Sequence, residues 1–351
     1  MSYLFSPIDL RGLSVRNRVA MAPMCLYASD ESGVANETHL VHYGARALGG
    51  VGLINIEATS ISPEGRITLR DLGIWDDGQI EPLQRVTRFC QQQGAAVCIQ
   101  LAHHGRKAFG DLTDHIPFTV IAPSAVPQAE GWRVPYELTR RDINLLVEVY
   151  QEASRRILKI GADCVEIHAA HGYLIHEFLS TIANFRKDEY GGSLTNRMRF
   201  LMEVTEGIRA VIPAESPLLV RLSVTDWCEG GITVEDSIEI ARALKSRGVD
   251  MIDCSSGGIL TDKPPRLGPG YQIPLAEAIK QQAGIPSMAV GSISTPELAE
   301  EILFNGRADM VALGRELLHN PNWPLDAAQV LGDQVAWPKI YSAGKSSLGC
   351  H

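Results

Sequence analysis

Asp163-Cys-Val-Glu-Ile-His-Ala-Ala-His-Gly-Tyr173 is an almost continuous apolar run that ends in two histidines, a glycine and a tyrosine. A strand with one wet face alternates apolar and polar residues. A run this apolar suits a strand buried on both faces, which is the habit of parallel sheets. Seven further runs share the character: Arg18–Met24, Val51–Ala58, Ala95–Ala102, Leu218–Val224, Met251–Ser256, Pro286–Ser292 and Asp309–Arg315. Helical patterns lie between them. One fills Thr139–Gly161, with Gly161 as its C-cap; one opens at Ser193-Leu-Thr-Asn196 and runs on through Arg199–Ile212. Thr233–Gly248 and Ser294–Gly306 supply two more, the latter with Thr295 as N-cap and Pro296 in the first turn. Eight strand–helix units in succession predict an α/β fold, a (β/α)₈ TIM barrel, in one domain spanning 1–351. A doubly wound sheet would place a glycine fingerprint after an early strand. Leu48-Gly-Gly-Val-Gly52 precedes a strand instead, so it reads as a turn.

Leu4–Asn17 reads as a hairpin plug at the end of the barrel away from the catalytic face. Two connections are long, His103 to about Leu138 after the third strand, with Pro117, Pro123, Pro127 and Pro135, and His171 to about Leu194 after the fourth. Loops of this length after barrel strands lie on the catalytic face. The tail, about 338–351, is expected to be mobile or to sit at a subunit interface.

The chain of 351 residues is 45% hydrophobic and carries a net charge of -9, without a basic cluster. That balance speaks against nucleic acid or an anionic membrane as partner. No apolar run approaches the ~18 residues of a bilayer span, and Met1–Pro7 lacks the charged and apolar segments of a signal peptide. Seven cysteines, odd in number and without a C-x-x-C pair, point to free thiols and a cytoplasmic address.

The chemistry is sought at the C-terminal ends of the strands. His168 and His171 stand there with Tyr173. A metal site would need a third ligand. Glu166 faces the same way as His168 but one layer deeper, and only Glu57 among the carboxylates could stand near the mouth, so metal is expected to be none. The seventh strand ends in Gly291 and the eighth in Gly314-Arg315, the usual place for a phosphate in such barrels. Gln100 and Arg221 face that position; an amide can read the edge of a planar heterocycle, and an arginine can stabilise charge that appears on its reduction. Phosphate, ring and charge stabiliser together suggest flavin mononucleotide (FMN), with the histidine pair over the ring and Tyr173 as proton source.

Several stretches then resemble the old yellow enzyme family, in its small bacterial ene-reductase and NADPH dehydrogenase branch. They are Asn17–Tyr27, Glu57-Ala-Thr59, Pro63–Ile67, Ile99–His103 with Gly105-Arg-Lys107, Glu166–Leu179, Asp188–Ser193, Asn196-Arg197, and Gly306–Asp309 with Gly314-Arg315. The resemblance implies that Ala22, Pro23, Met24, Cys25, Ala58, Gln100, Arg221, Gly314 and Arg315 hold FMN, joined by Gly291 from the phosphate reading. It implies that Cys25 tunes the flavin, that Tyr27, His168 and His171 bind substrate, and that Tyr173 is the acid. NADPH is the implied hydride donor, NADH being the other candidate. The implied reaction reduces the C=C bond of an activated alkene, or a quinone or nitro compound. A homodimer or homotetramer is implied as well. The alternative is a related flavin barrel that oxidises alcohols. Two departures stand out: Ser342 follows Tyr341 where an arginine or tryptophan is expected, with Lys345 as a substitute, and His104 replaces a small residue and is read as an exposed surface histidine.

Overall fold

The computed structural model describes residues 1–109, 118–260 and 267–347, the side chains of 345–347 excepted. Pro117 and the Lys345 side chain therefore lie outside the described residues. Eight strands, β1 (Val19–Met21), β2 (Leu53–Ser60), β3 (Ala96–Ala102), β4 (Cys164–Ala169), β5 (Leu218–Ser223), β6 (Met251–Ser255), β7 (Ser287–Val290) and β8 (Met310–Leu313), pair in parallel and close into a barrel, β8 against β1. Seven of the eight predicted runs contain a whole strand, and the run Val51–Ala58 covers β2 as far as Ala58, two residues short of its end. The helices α1 (Glu37–Leu48), α2 (Ile80–Gln92), α3 (Arg140–Ile160), α4 (Arg199–Arg209), α5 (Val234–Ser246), α6 (Ile273–Ala278), α7 (Pro296–Phe304) and α8 (Trp323–Val330) follow the strands in turn. This is the TIM barrel that the patterning predicts. Among the described residues no helix is long and apolar enough to cross a membrane.

The caps explain where the helices begin. Thr139 accepts from Asp142 N–H while the Asp142 carboxylate accepts from Thr139 N–H, and Thr233 and Asp236 do the same for α5. Gly161 closes α3 at φ 81, a left-handed conformation that costs a glycine little. One expected helix is divided: Ser193 caps a single turn, Leu194–Arg197, and α4 then runs only to Arg209. Pro213 disfavours helical backbone at Ile212, which is why the pattern stops short of it.

Ile8–Leu10 and Leu13–Val15 form the antiparallel hairpin. Leu10 and Val15 pack on Leu53, Cys164, Leu219, Met251, Met288 and Met310, which sit at the starts of their strands. The hairpin thus floors the barrel at its N-terminal end and leaves the C-terminal end for chemistry. Two residues further along each strand, on the same inner face, come Asn55, Gln100, Glu166, Arg221 and Asp253, all buried. The tail is short 3₁₀ turns over Lys339–Ser347, with Tyr341 48% exposed.

Leu10→Ala would open a cavity at this floor. We predict a loss of about 2–5 kcal/mol, read as a lower urea midpoint with an unchanged slope. A midpoint within error of wild type would show that the hairpin does not close the barrel.

Candidate active site

The site grows from the end of β4. Ala170 N–H donates to His168 Nδ1 at 3.2 Å, which assigns the His168 proton to Nε2, 3.3 Å from His171 Nδ1. His171, accepting there, keeps its own proton on Nε2, 2.7 Å from Ser255 Oγ on β6. His168 is buried and His171 half-buried; desolvation first, then His171 and Arg221 for His168 and Arg221 and His176 for His171, holds both well below the ordinary imidazole range. They are neutral donors. His171 has φ 59, and its N–H is held by Ser223 Oγ at 2.9 Å. The turn fits against Gly258: a Cβ on Gly172 would lie 2.3 Å from Gly258 O, so glycine is required by the close approach as well as by φ 71. His176, from the short helix Leu174–Leu179, accepts from Gly172 N–H at 2.8 Å and sets its other nitrogen 3.0 Å from Asp226.

Tyr173 is gathered into this cluster. Its ring stands edge-on to His168 at 4.7 Å and to His104 at 4.3 Å, with the Lys107 ammonium 5.7 Å from the ring centre. Burial raises its pKa above the ordinary phenol value, so it is a neutral O–H at pH 7. His104 corrects an expectation. It is fully buried, not on the surface, with Nδ1 2.6 Å from Gly65 O and 3.8 Å from Asp71. A short backbone turn, Gly105–Lys107, folds it inward beneath Tyr173.

The opposite wall comes from β1 and β2. The register of β2 shifts between Ile56 and Thr59, so Glu57 and Ala58 occupy a bulge. Glu57 turns outward, where Tyr43 Oη donates at 3.1 Å and Leu26 N–H at 2.7 Å. Burial pushes its pKa up to about 7. Ala58 N–H meets the Cys25 sulfur, which also bonds Tyr27. Burial, with Glu57 and Asp71 adding to it, pushes the Cys25 thiol up to about 12. Cys25 is a thiol here, not a thiolate. Tyr27, at φ 51 and 39% exposed, sits at the rim.

A cavity of about 600 Å³ opens at the ends of β5 to β8, lined by Arg221, Ser255, Tyr271, Gln272, Gly291, Ser292, Gly314 and Arg315. Gly291, at φ 121, has no room for a side chain: a Cβ would meet Gln272 Nε2 at 2.8 Å. Arg315 Nη2 reaches Ser292 Oγ at 3.3 Å. Arg221 Nη1 donates to Pro23 O at 3.4 Å, which ties Ala22, Pro23 and Met24 to the same mouth, and Met24 Sδ would lie 3.3 Å from a Cβ on Gly314. Gln100 stands deeper, with Nε2 on Glu166 Oε1 at 2.6 Å. Gly291 and Gly314, the guanidinium of Arg315 and the charge of Arg221 have the chemistry to take a phosphate at one end and a reducible ring at the other. Among the described residues no group of three His, Cys, Asp or Glu is placed to hold a metal ion. The reading of the strand ends had missed Ser255, Tyr271, Gln272 and Ser292, which are small or neutral and carry no spacing signal of their own.

The sequence matches a family profile over residues 3–334, that of NADH:flavin oxidoreductase / NADH oxidase. The chain belongs to that family. It is 48% identical over 344 residues to an NADPH dehydrogenase of Geobacillus thermodenitrificans (strain NG80-2), covering 97% of this chain and 98% of the relative. It superposes on the old yellow enzyme homologue of Zymomonas mobilis with a TM-score of 0.81 at 31% identity, covering 96% of this chain and 95% of that one. A 2-naphthoyl-CoA reductase gives 0.88 at 26% identity; there the chain covers 94% of its own length and spans 52% of the other. As a member of the family, it is an FMN-dependent oxidoreductase that draws hydride from a reduced nicotinamide.

A thiol raised to about 12 is a weak nucleophile at neutral pH. Alkylation of Cys25 by iodoacetamide, followed by mass spectrometry of the peptide, is expected to be slow at pH 7 and to keep accelerating beyond pH 9. A rate that levels off below pH 8 would mean that the thiolate forms far more readily.

Proposed function

We propose that this flavin oxidoreductase reduces the C=C bond of α,β-unsaturated carbonyl compounds, with nitroalkenes and quinones in the same class, and uses NADPH as donor, NADH serving as the second choice. The observation that carries the reading is the run of neutral donors His168, His171 and Ser255, which ends on the cavity lining at Ser255 and stands beside a neutral phenol. FMN, when bound, would supply the hydride-transfer chemistry that links the nicotinamide to the β-carbon of the alkene.

The residues perform the rest. Negative charge grows on the substrate oxygen as the β-carbon gains hydride. His168 Nε2–H and His171 Nε2–H, now bonded to His171 and Ser255, are the donors such an oxygen would recruit. Ala170, Ser223 and the glycine turn fix both rings, so an arriving oxygen has to displace the present acceptors of the two N–H groups, and the new hydrogen bonds strengthen as the charge appears. Tyr173 then gives its proton to the α-carbon. Its lifted pKa keeps it protonated until that moment. Arg221 would offer positive charge to the ring, and Arg315 with the Gly291 and Gly314 backbone would hold the phosphate. Tyr27, hydrogen-bonded to Cys25, would meet the substrate from the rim.

The clamp predicts that His168→Ala combined with His171→Ala lowers turnover of cyclohexenone on the order of 100-fold or more and weakens binding of phenols, which are read as spectral shifts of the flavin. Near-wild-type turnover and affinity in that double variant would refute it. For the acid, Tyr173→Phe is expected to slow reoxidation by enone roughly 100-fold while reduction by NADPH keeps its rate, both followed by stopped-flow absorbance. Equal slowing of the two half-reactions would reduce Tyr173 to a structural role.

A further inference from the structure

Below the histidine pair the barrel interior carries two carboxyl groups and one guanidinium. Glu166 projects inward from β4 and Asp253 from β6, both fully buried, while Arg221 on β5 is 6% exposed. In register Arg221 lies beside Asp253 on one side and His168 on the other, and Gln100 lies beside Glu166. Arg221 Nε is 3.1 Å from Asp253 Oδ2, and Gln100 Nε2 is 2.6 Å from Glu166 Oε1. Glu166 Oε2, both Asp253 carboxyl oxygens and Arg221 Nε are left without a well-formed hydrogen bond among the described residues, so the Arg221–Asp253 contact is an ion pair of poor hydrogen-bond geometry. The other inward groups do not bring charge. Asn55 on β2 adjoins Glu166, Cys98 and Cys164 lie below, burial favouring the neutral thiol of Cys98, His168 above is neutral, and β1, β7 and β8 contribute Ala20, Ala22, Met288, Val290, Met310 and Ala312.

Two ionised carboxylates and one arginine would leave a net negative charge sealed inside the barrel, where the penalty for desolvating a second anion is several kcal/mol. We propose that Glu166 and Asp253 hold a single proton between them, so that one negative charge rather than two stands under Arg221 and sets the field Arg221 presents to the flavin. The direction of both groups agrees: burial pushes Glu166 up to about 8, Asp253 adding to it, and raises Asp253 also, with Arg221 opposing. Such a pair titrates as a unit. The inference rests on the reading that Arg221 faces the flavin. It makes Glu166 and Asp253 positioning residues that act through Arg221.

A shared proton has a signature that two separate charges lack. Removing either carboxyl lets the other ionise, and the charge under Arg221 stays at one. The test is the midpoint potential of bound FMN against pH in wild type, Glu166→Gln, Asp253→Asn and the double variant. At pH 7 each single variant is expected to lie close to wild type, and the double variant to shift upward because Arg221 is uncompensated. Wild type is expected to show an additional fall in potential near pH 8, absent from both single variants. Single-variant shifts that are large and sum to that of the double would overturn the proposal. Should the double variant not fold, the step near pH 8 decides alone: its survival in either single variant contradicts the shared proton. A protein that takes up no FMN would instead sink the flavin reading. The pair is then tested in the FMN-free protein. Glu166 binds its proton more tightly folded than unfolded, so the wild-type urea midpoint should fall as pH rises from about 5 to 8, and either single variant should flatten that slope. An unchanged slope in both variants would overturn the proposal there too.

Discussion

Closure of the eight parallel strands buries both faces of every one of them, and the other features follow from that constraint. A closed barrel has no edge and no wet inner surface. Every side chain that points inward must either fill space or justify its polarity. Near the floor the chain fills space, with Leu53, Leu219, Met251, Met288 and Met310 sealed by Leu10 and Val15 of the hairpin. One layer up it carries Asn55, Gln100, Glu166, Arg221 and Asp253, and at the mouth it carries His168, Ser223 and Ser255. Apolar support beneath and polar function above is a gradient along the barrel axis. It places the groups that need partners next to the cavity where a cofactor's own polar atoms can supply them.

The same constraint shaped what could be read from residues alone. A strand buried on both faces leaves a continuous apolar run, and all eight runs are visible without reference to any structure. The helix starts were legible because Thr139, Thr233 and Thr295 satisfy backbone donors locally. His168, His171 and Tyr173 were found because a strand end followed by a turn fixes where they must be. What escaped was what depends on neighbours far away in the chain. His104 follows His103 and looks like a loop residue, yet a turn at Gly105 folds it under Tyr173, a contact across almost seventy positions that no local pattern encodes. The bulge at Glu57 and Ala58 is likewise a property of how β2 pairs with β3, and it decides that Glu57 grips Leu26 rather than facing the mouth. Ser255 and Gln272 reach the cavity from β6 and the turn that leads into α6, with no motif to announce them.

Electrostatics in the site work through neutrality more than through charge. The imidazoles, the phenol and the Cys25 thiol are all driven by burial toward their uncharged forms. An uncharged donor does not bind an anion strongly in the ground state, so its contribution is reserved for the moment when charge develops on the substrate. Arg221 and Arg315 are the cations that line the cavity, and Asp253 stands 3.1 Å from the first of them. The membership of the chain in a flavin oxidoreductase family and the geometry of the mouth therefore describe the same device from two sides.

The most direct measurement of the central claim is an anaerobic visible spectrum taken in three steps: the purified protein, the protein after one equivalent of NADPH, and the same sample after cyclohexenone. A flavin band that bleaches with the nicotinamide and returns with the enone is the result this account predicts, since it requires the cofactor, the donor and the activated alkene in one site. A protein that bleaches and does not recover its colour with any enone, nitroalkene or quinone would keep the flavin and contradict the proposed function.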